Sequence, residues 1–99
     1  MSQSRDSTEV GLKTVYFRVK GRVQGVFFRA STRSTAEKIG LSGWVKNMPD
    51  GDVEGMVTGP EKPLQEFIAW LHHGPKLSSV TAVEISPHQV EQFSGFEIR

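Results

Sequence analysis

The chain has 99 residues, 36% of them hydrophobic and 23% charged, and a formal net charge of +1. This length suits one domain with a buried core and is too short for two, and the small net charge argues against general binding to nucleic acid or other polyanions. Because the sequence contains no cysteine, disulfides, thiolate nucleophiles and cysteine-ligated metals are excluded.

The N-terminal segment predicts neither a core element nor a targeting signal. Residues 1–12 are rich in serine, threonine and charge, so we expect a disordered leader there and a single domain over residues 13–99. The sequence has no apolar signal-peptide region and no apolar run near the roughly 20 residues that cross a bilayer. We therefore expect a cytoplasmic protein with no membrane partner.

The first predicted strand and the first predicted helix flank a glycine-containing stretch. Apolar and polar residues alternate over residues 14–20, "TVYFRVK", which is the period of a strand with one buried face. A helix is predicted from Phe28 to about Ile39, because buried-type residues recur there at near-helical spacing and Gly40 is a natural residue to end it.

A β-hairpin and a second helix are predicted next. Residues 41–47 and 51–59 flank a turn in which Pro49 suits position i+1 of a type I turn and Gly51 supplies a positive φ. Over residues 61–74, apolar residues at i, i+3, i+4 and i+7 predict a helix with proline near its start and glycine at its end.

The end of the chain completes the predicted fold. Residues 79–86 predict a strand, and residues 96–99 predict a short extended segment whose partner the sequence does not identify. The order β-α-β-β-α-β predicts an α+β, ferredoxin-like fold, in which two helices cover one face of a mostly antiparallel sheet. Right-handed crossovers place the first and third strands side by side at the centre of that sheet.

The stretch "GRVQGVFFR", residues 21–29, is the first candidate for a functional site. It joins the first strand to the first helix, where free backbone N–H groups and the positive end of the helix dipole favour an anion. Gly21 and Gly25 allow the backbone to curl close to a ligand, Arg29 enters the first helical turn, and residues 18–33 carry five cationic side chains and no acidic one. From these residues alone, a phosphate site and a plain turn with solvated arginines are about equally supported.

A second candidate is Asn47, which ends the first hairpin strand immediately before the turn. If the central strands are neighbours, Asn47 lies within reach of the stretch over residues 21–29, and its amide group suits holding a water molecule in a chosen orientation. Considered alone, a local role in capping the turn is better supported.

Together, "GRVQGVFFR" and "GWVKNMPDGDVEG" resemble the two signatures of the acylphosphatase family, G-x-V-Q-G-V-x-F-R and G-W-V-x-N running into D-G-x-V-E. Both signatures match without a gap. The resemblance extends over about residues 14–99 and includes the "GP" after the second helix and the "FEIR" end.

The resemblance implies hydrolysis of carboxyl-phosphate mixed anhydrides to a carboxylate and inorganic phosphate, without metal or cofactor. It gives Arg29 the role of binding the phosphate and Asn47 the role of positioning the attacking water. It also implies a phosphate cradle made of backbone amides, contributed by Arg22, Val23, Gln24, Gly25, Val26, Phe27 and Phe28. The expected partners are a small-molecule acyl phosphate and inorganic phosphate as product and inhibitor, and the expected state is a monomer.

Two other functions compete with this interpretation. An RNA-recognition module has the same fold, and "KGRVQGVFF" superficially resembles its RNP1 motif, but Arg22 and Gln24 stand where that motif needs aromatic rings. We therefore expect no nucleic-acid partner. A non-catalytic acylphosphatase-type domain, as found in larger carbamoyl-processing proteins, is disfavoured because the chain stops at Arg99 without a zinc-binding cysteine segment.

Acidic and histidine residues elsewhere do not predict a metal site. His72 and His73 fall at the end of the second helix, where such side chains complement the helix dipole. Asp50 is explained by the turn, and Asp52 and Glu54 are expected on an exposed strand face.

Overall fold

A computed structural model of the chain describes residues 11–99. The strands are β1 (Leu12–Arg22), β2 (Ser42–Asn47), β3 (Val53–Pro60), β4 (Ser79–His88) and β5 (Phe96–Ile98), and the helices are α1 (Phe28–Lys38) and α2 (Glu61–Leu71). The order along the chain is β1-α1-β2-β3-α2-β4-β5, which confirms the predicted succession of elements. The predicted leader, residues 1–12, lies outside the described residues except for its last two, and Leu12 already belongs to β1.

The five strands form one sheet in the order β4-β1-β3-β2-β5. β1 pairs antiparallel with β3, and Phe17 lies opposite Gly55. The prediction that these two strands are central neighbours is therefore confirmed. β5 pairs in parallel with β2, with Phe96 opposite Gly43, so the C-terminal segment has the partner that the sequence could not identify.

Both helices pack on the same face of the sheet, as predicted. Phe17 of β1 and Phe67 of α2 are fully buried and meet edge to face, with ring centroids 5.5 Å apart. Trp70 of α2 lies beside Phe28 of α1 at 5.8 Å, so these aromatic side chains join the two helices to each other and to the sheet. Burial of such rings supplies most of the favourable free energy of a small core.

The opposite face of the sheet carries a network of charges. Asp52 is only 8% exposed and accepts hydrogen bonds from Lys20 Nζ and from Arg18 Nε, each at 2.8 Å. These bonds from Lys20 and Arg18 lower the pKa of Asp52 below its usual value. The prediction that Asp52 sits on an exposed face is therefore wrong, because Asp52 is buried and both cations of β1 pair with it.

Candidate active site

The loop from Val23 to Phe27 joins β1 to α1 and has an unusual backbone. Gly25 has a φ of +74° and Phe27 has φ and ψ of +62° and +24°, both in the left-handed region. Glycine adopts this region readily, whereas a bulky residue rarely does. Two left-handed residues so close together curl the chain around the N-terminus of α1 and leave space in front of it.

Gly21 has a different role from the predicted one. It lies inside β1, at a bulge opposite Val80 of β4, and not in the loop. A Cβ atom at Gly21 would lie 2.1 Å from the carbonyl oxygen of Ser79, so a glycine is needed there for strand packing. The expectation that Gly21 brings the backbone close to a ligand is therefore replaced by a structural role in the sheet.

The loop leaves several backbone N–H donors without a backbone partner among the described residues. Within residues 11–99, the N–H groups of residues 24–28 donate no hydrogen bond to another backbone group, and no side chain caps the start of α1. The first turn of α1 also contains no acidic residue. An unsatisfied run of N–H groups at a helix N-terminus attracts an anion, because the donors and the helix dipole act in the same direction.

Asn47 ends β2 beside the turn that leads into β3. The turn is closed without it, because Gly51 donates its N–H to Met48 O at 3.1 Å and Asp52 donates its N–H to Asp50 Oδ1 at 3.0 Å. The predicted type I turn is thus capped by Asp50. The Oδ1 atom of Asn47 is buried and accepts no hydrogen bond from any residue in the described part of the chain.

Gln24 ties the loop to this turn. Its side-chain Nε2 donates to Met48 O and to Asp52 O, each at 2.8 Å. One carboxamide thus joins the β1–α1 loop to both ends of the hairpin turn. The sequence predicted a role only for the backbone of Gln24, and the side-chain role depends on acceptors that are distant in the sequence.

The loop and the hairpin meet at a cavity of about 280 Å³. Its lining residues are Val23, Gly25, Phe27, Phe28, Arg29, Ala30, Asn47 and Ile98. The two predicted site side chains, Arg29 and Asn47, therefore share one cavity. Four of the seven predicted cradle residues line it and three do not, the three being Arg22, Gln24 and Val26. Ile98 of β5 also lines the cavity and was missed, because the partner of its segment could not be identified from the sequence.

Arg29 forms no ion pair within residues 11–99, whereas most of its cationic neighbours do. Arg18 and Lys20 are paired with Asp52, and Arg33 is paired with Glu37. Arg29 is half-buried at the cavity, and its guanidinium group forms no ion pair within the range that the structure covers. The positive charge predicted for this whole segment is therefore reduced by internal pairing, and Arg29 keeps its donors free for a bound anion.

Two further features bear on the predicted partners. No helix between residues 11 and 99 is long and apolar enough to cross a membrane. The same residues contain no group of three or more histidine or acidic side chains placed to hold a metal ion.

Known proteins resemble this chain in both sequence and fold. The profile of the acylphosphatase family matches residues 15–98. An acylphosphatase of Thiobacillus denitrificans is 46% identical over 88 residues, covering 89% of this chain and 98% of that protein. An acylphosphatase structure from Coxiella burnetii superposes with a TM-score of 0.90 at 39% identity, covering 93% of this chain and 97% of the other. An acylphosphatase structure from Bacillus subtilis superposes with a TM-score of 0.85 at 39% identity, covering 88% of this chain and 98% of the other. The chain therefore belongs to the acylphosphatase family of hydrolases.

Proposed function

We propose that the chain hydrolyses acyl phosphates in the cavity between the β1–α1 loop and the β2–β3 hairpin. The observation that carries the proposal is that Arg29 and Asn47 line this one cavity, Arg29 with no ion pair within residues 11–99 and Asn47 with a buried Oδ1 atom that accepts no hydrogen bond there. A buried polar atom without a partner is costly unless a ligand or water completes it. Membership of the acylphosphatase family supports the same reaction.

The phosphate group binds at the N-terminus of α1 in this proposal. Arg29 presents a planar fork of donors that matches two phosphate oxygens, and the backbone amides of residues 24–28, which have no backbone acceptor within residues 11–99, supply further donors. These groups stabilise the charge that builds up on the equatorial oxygens during transfer. Inorganic phosphate has the same charged oxygens, so it binds as a product and inhibits competitively.

Asn47 positions the attacking water. Its Oδ1 accepts a hydrogen bond from that water, whose oxygen forms a bond to phosphorus while the bond from phosphorus to the acyl oxygen breaks. The carboxylate leaves with the electron pair of the broken bond, and a phosphate oxygen takes the proton of the water. Because a carboxylate is a good leaving group, positioning and charge stabilisation suffice, and no metal or cofactor is required.

The proposal includes a monomer in the cytoplasm that binds no nucleic acid. An RNA-binding sheet of this fold stacks bases on exposed aromatic rings of its central strands. On the uncovered face, β1 presents Tyr16, Arg18 and Lys20. The Tyr16 hydroxyl donates to Glu54 Oε1 at 2.6 Å, and both cations are paired with Asp52. These side chains are engaged within the protein, which favours a small-molecule partner.

A phosphate-release assay on acetyl phosphate and benzoyl phosphate tests the proposal. We expect turnover of both compounds to be undiminished by EDTA, and a phosphate monoester such as phenyl phosphate to react far more slowly, because its leaving group is poor. Loss of turnover on chelation would contradict metal-independent catalysis. If neither acetyl phosphate nor benzoyl phosphate released phosphate, the result would favour a non-catalytic domain.

A further inference from the structure

An apolar groove adjoins the cavity. Its volume is about 460 Å³, and it is lined by Val26, Phe27, Ser31, Pro75, Lys76 and Leu77. Leu77 is 69% exposed and Phe27 is 79% exposed, so two large apolar side chains face solvent at the same place. Neighbouring exposed apolar side chains around a concave surface mark a binding site more often than scattered ones do.

Phe27 connects the groove to the cavity, since it lines both. It is also the one non-glycine residue in the range 11–99 with a positive φ. The left-handed backbone at Phe27 directs a large ring outward instead of into the core, although a buried ring would be favoured by the hydrophobic effect. A strained backbone that presents an exposed aromatic ring beside a candidate site suggests a role in binding.

We propose that this groove is the acyl subsite and that the preferred substrates carry an apolar acyl group, aromatic or branched. This inference rests on the proposed function, because it places the acyl group next to a phosphate bound in the cavity. In-line displacement puts the attacking water and the leaving group on opposite sides of phosphorus. Asn47 lines only the cavity, whereas Phe27 lines the cavity and the groove, so the leaving group is directed past Phe27 and away from Asn47.

A second groove, between the two helices, is the competing place for the acyl group. It is lined by Ala30, Ser31, Ser34, Thr35, Trp70 and Pro75, and it shares Ala30 with the cavity. Three of its six lining residues carry hydroxyl groups, which would suit a polar acyl group. The exposed ring of Phe27 and the exposed side chain of Leu77 in the first groove favour an apolar one, because binding removes their surface from water.

The subsite is tested by substrate selectivity in Leu77→Ser. We expect the wild type to prefer benzoyl phosphate over acetyl phosphate, and Leu77→Ser to lower kcat/KM for benzoyl phosphate about tenfold while changing that for acetyl phosphate less than about twofold. Val90→Ser is the matched control, since Val90 is also an exposed aliphatic residue but lines neither space. Equal effects of Leu77→Ser on both substrates, or no effect on either, would overturn the subsite and leave the hydrolysis itself standing.

Binding of non-hydrolysable analogues separates the subsite from catalysis. Phenacylphosphonate and acetonylphosphonate replace the bridging oxygen by carbon and carry an aromatic and a methyl acyl group, respectively. We expect the wild type to bind the aromatic analogue more tightly, and both Leu77→Ser and Phe27→Asn to lose most of that preference. Asparagine is chosen at position 27 because it tolerates the left-handed backbone. Equal affinity of the wild type for the two analogues would refute the subsite even if acyl phosphates are hydrolysed.

Discussion

At the scale of the residue, the conformation of Gly25 and the unpartnered Oδ1 atom of Asn47 are the two features on which the proposed site depends. A Cβ atom at Gly25 would meet nothing within 4 Å, so only its φ of +74° requires glycine. Asn47 has its Oδ1 buried and unpartnered within residues 11–99. Neither property follows from residue type alone, because each depends on how the loop and the hairpin fold around the same space.

Replacing Gly25 by alanine tests the loop conformation without a steric clash. We expect Gly25→Ala to lower the free energy of unfolding by about 1 kcal/mol, because alanine disfavours a positive φ, and to weaken phosphate binding as the loop relaxes. Gly40→Ala is the matched control, since Gly40 has a φ of +80° and equally open space but lies at the far end of α1. It should lose similar stability and keep its phosphate affinity. Equal phosphate affinities in the two variants would contradict a role of the loop backbone in binding.

The residue-level predictions that failed depended on distant contacts. Gly21 was expected in a loop near a ligand, but it packs against β4. Asn47 considered alone was expected to cap the hairpin turn, but Asp50 caps that turn. Asp52 was expected to be exposed, yet it is covered by Lys20 and Arg18 from the neighbouring strand. Such tertiary contacts are set by strand pairing and are invisible in local patterns.

At the scale of the element, the site depends on keeping the β1–α1 loop and the hairpin turn together. The two hydrogen bonds from Gln24 to Met48 and Asp52 join these elements directly. The Nε2 atom of Gln24 donates both bonds to backbone carbonyls, so these two bonds require the side chain of Gln24 and no second side chain. We therefore propose that Gln24 helps to position Asn47, which directly precedes Met48 in the chain.

Replacing Gln24 by methionine removes both donors while keeping a side chain of similar length. We expect Gln24→Met to lower kcat about tenfold or more, since a displaced Asn47 misplaces the water, and to change phosphate affinity much less. Gln65→Met makes the same change on the exposed surface of α2 and should leave kcat unaltered. A purely structural role for Gln24 predicts a lower urea midpoint with normal kcat in the folded protein, and that result would exclude a positioning role.

The elements themselves were predictable because their signals are local. Alternation in β1, the apolar stripe of α2 and the Pro49–Gly51 turn each follow from neighbouring residues, and the structure confirms all three. β5 has three residues and no room for a periodic pattern. Its parallel partner, β2, is therefore set by packing at the sheet edge, which local sequence does not encode.

At the scale of the whole molecule, opposite charges cover the sheet face that has no helices. This network lowers the pKa of Asp52 and also that of Asp50. For Asp50 the main cause is the hydrogen bond from the backbone N–H of Asp52, and the hydrogen bond from Arg18 adds to it. A carboxyl whose pKa is lower in the folded state stabilises the fold at pH values above its unfolded pKa, about 3.9. That contribution is lost as the pH falls through the folded pKa.

Acid unfolding tests this network. We expect the urea midpoint of the wild type to fall as the pH is lowered from about 5 to 3, and Asp52→Asn to start lower at neutral pH and to fall less steeply. The reason is that asparagine has no proton to bind in this range and forms no ion pair with Lys20 or Arg18. Glu66→Gln removes one exposed carboxylate from α2 and should follow the wild-type slope. An unchanged acid slope in Asp52→Asn would contradict the assignment.

The most direct test of the proposed reaction is to measure kcat and the Kd for inorganic phosphate in Arg29→Ala and Asn47→Ala. Arg29→Ala should weaken phosphate binding by about tenfold or more along with activity, because it removes the charged side-chain ligand. Asn47→Ala should bind phosphate nearly as the wild type does while kcat falls by about 10²-fold, because only the water is misplaced. Near-normal kcat in Asn47→Ala, or unchanged phosphate affinity in Arg29→Ala, would contradict the account.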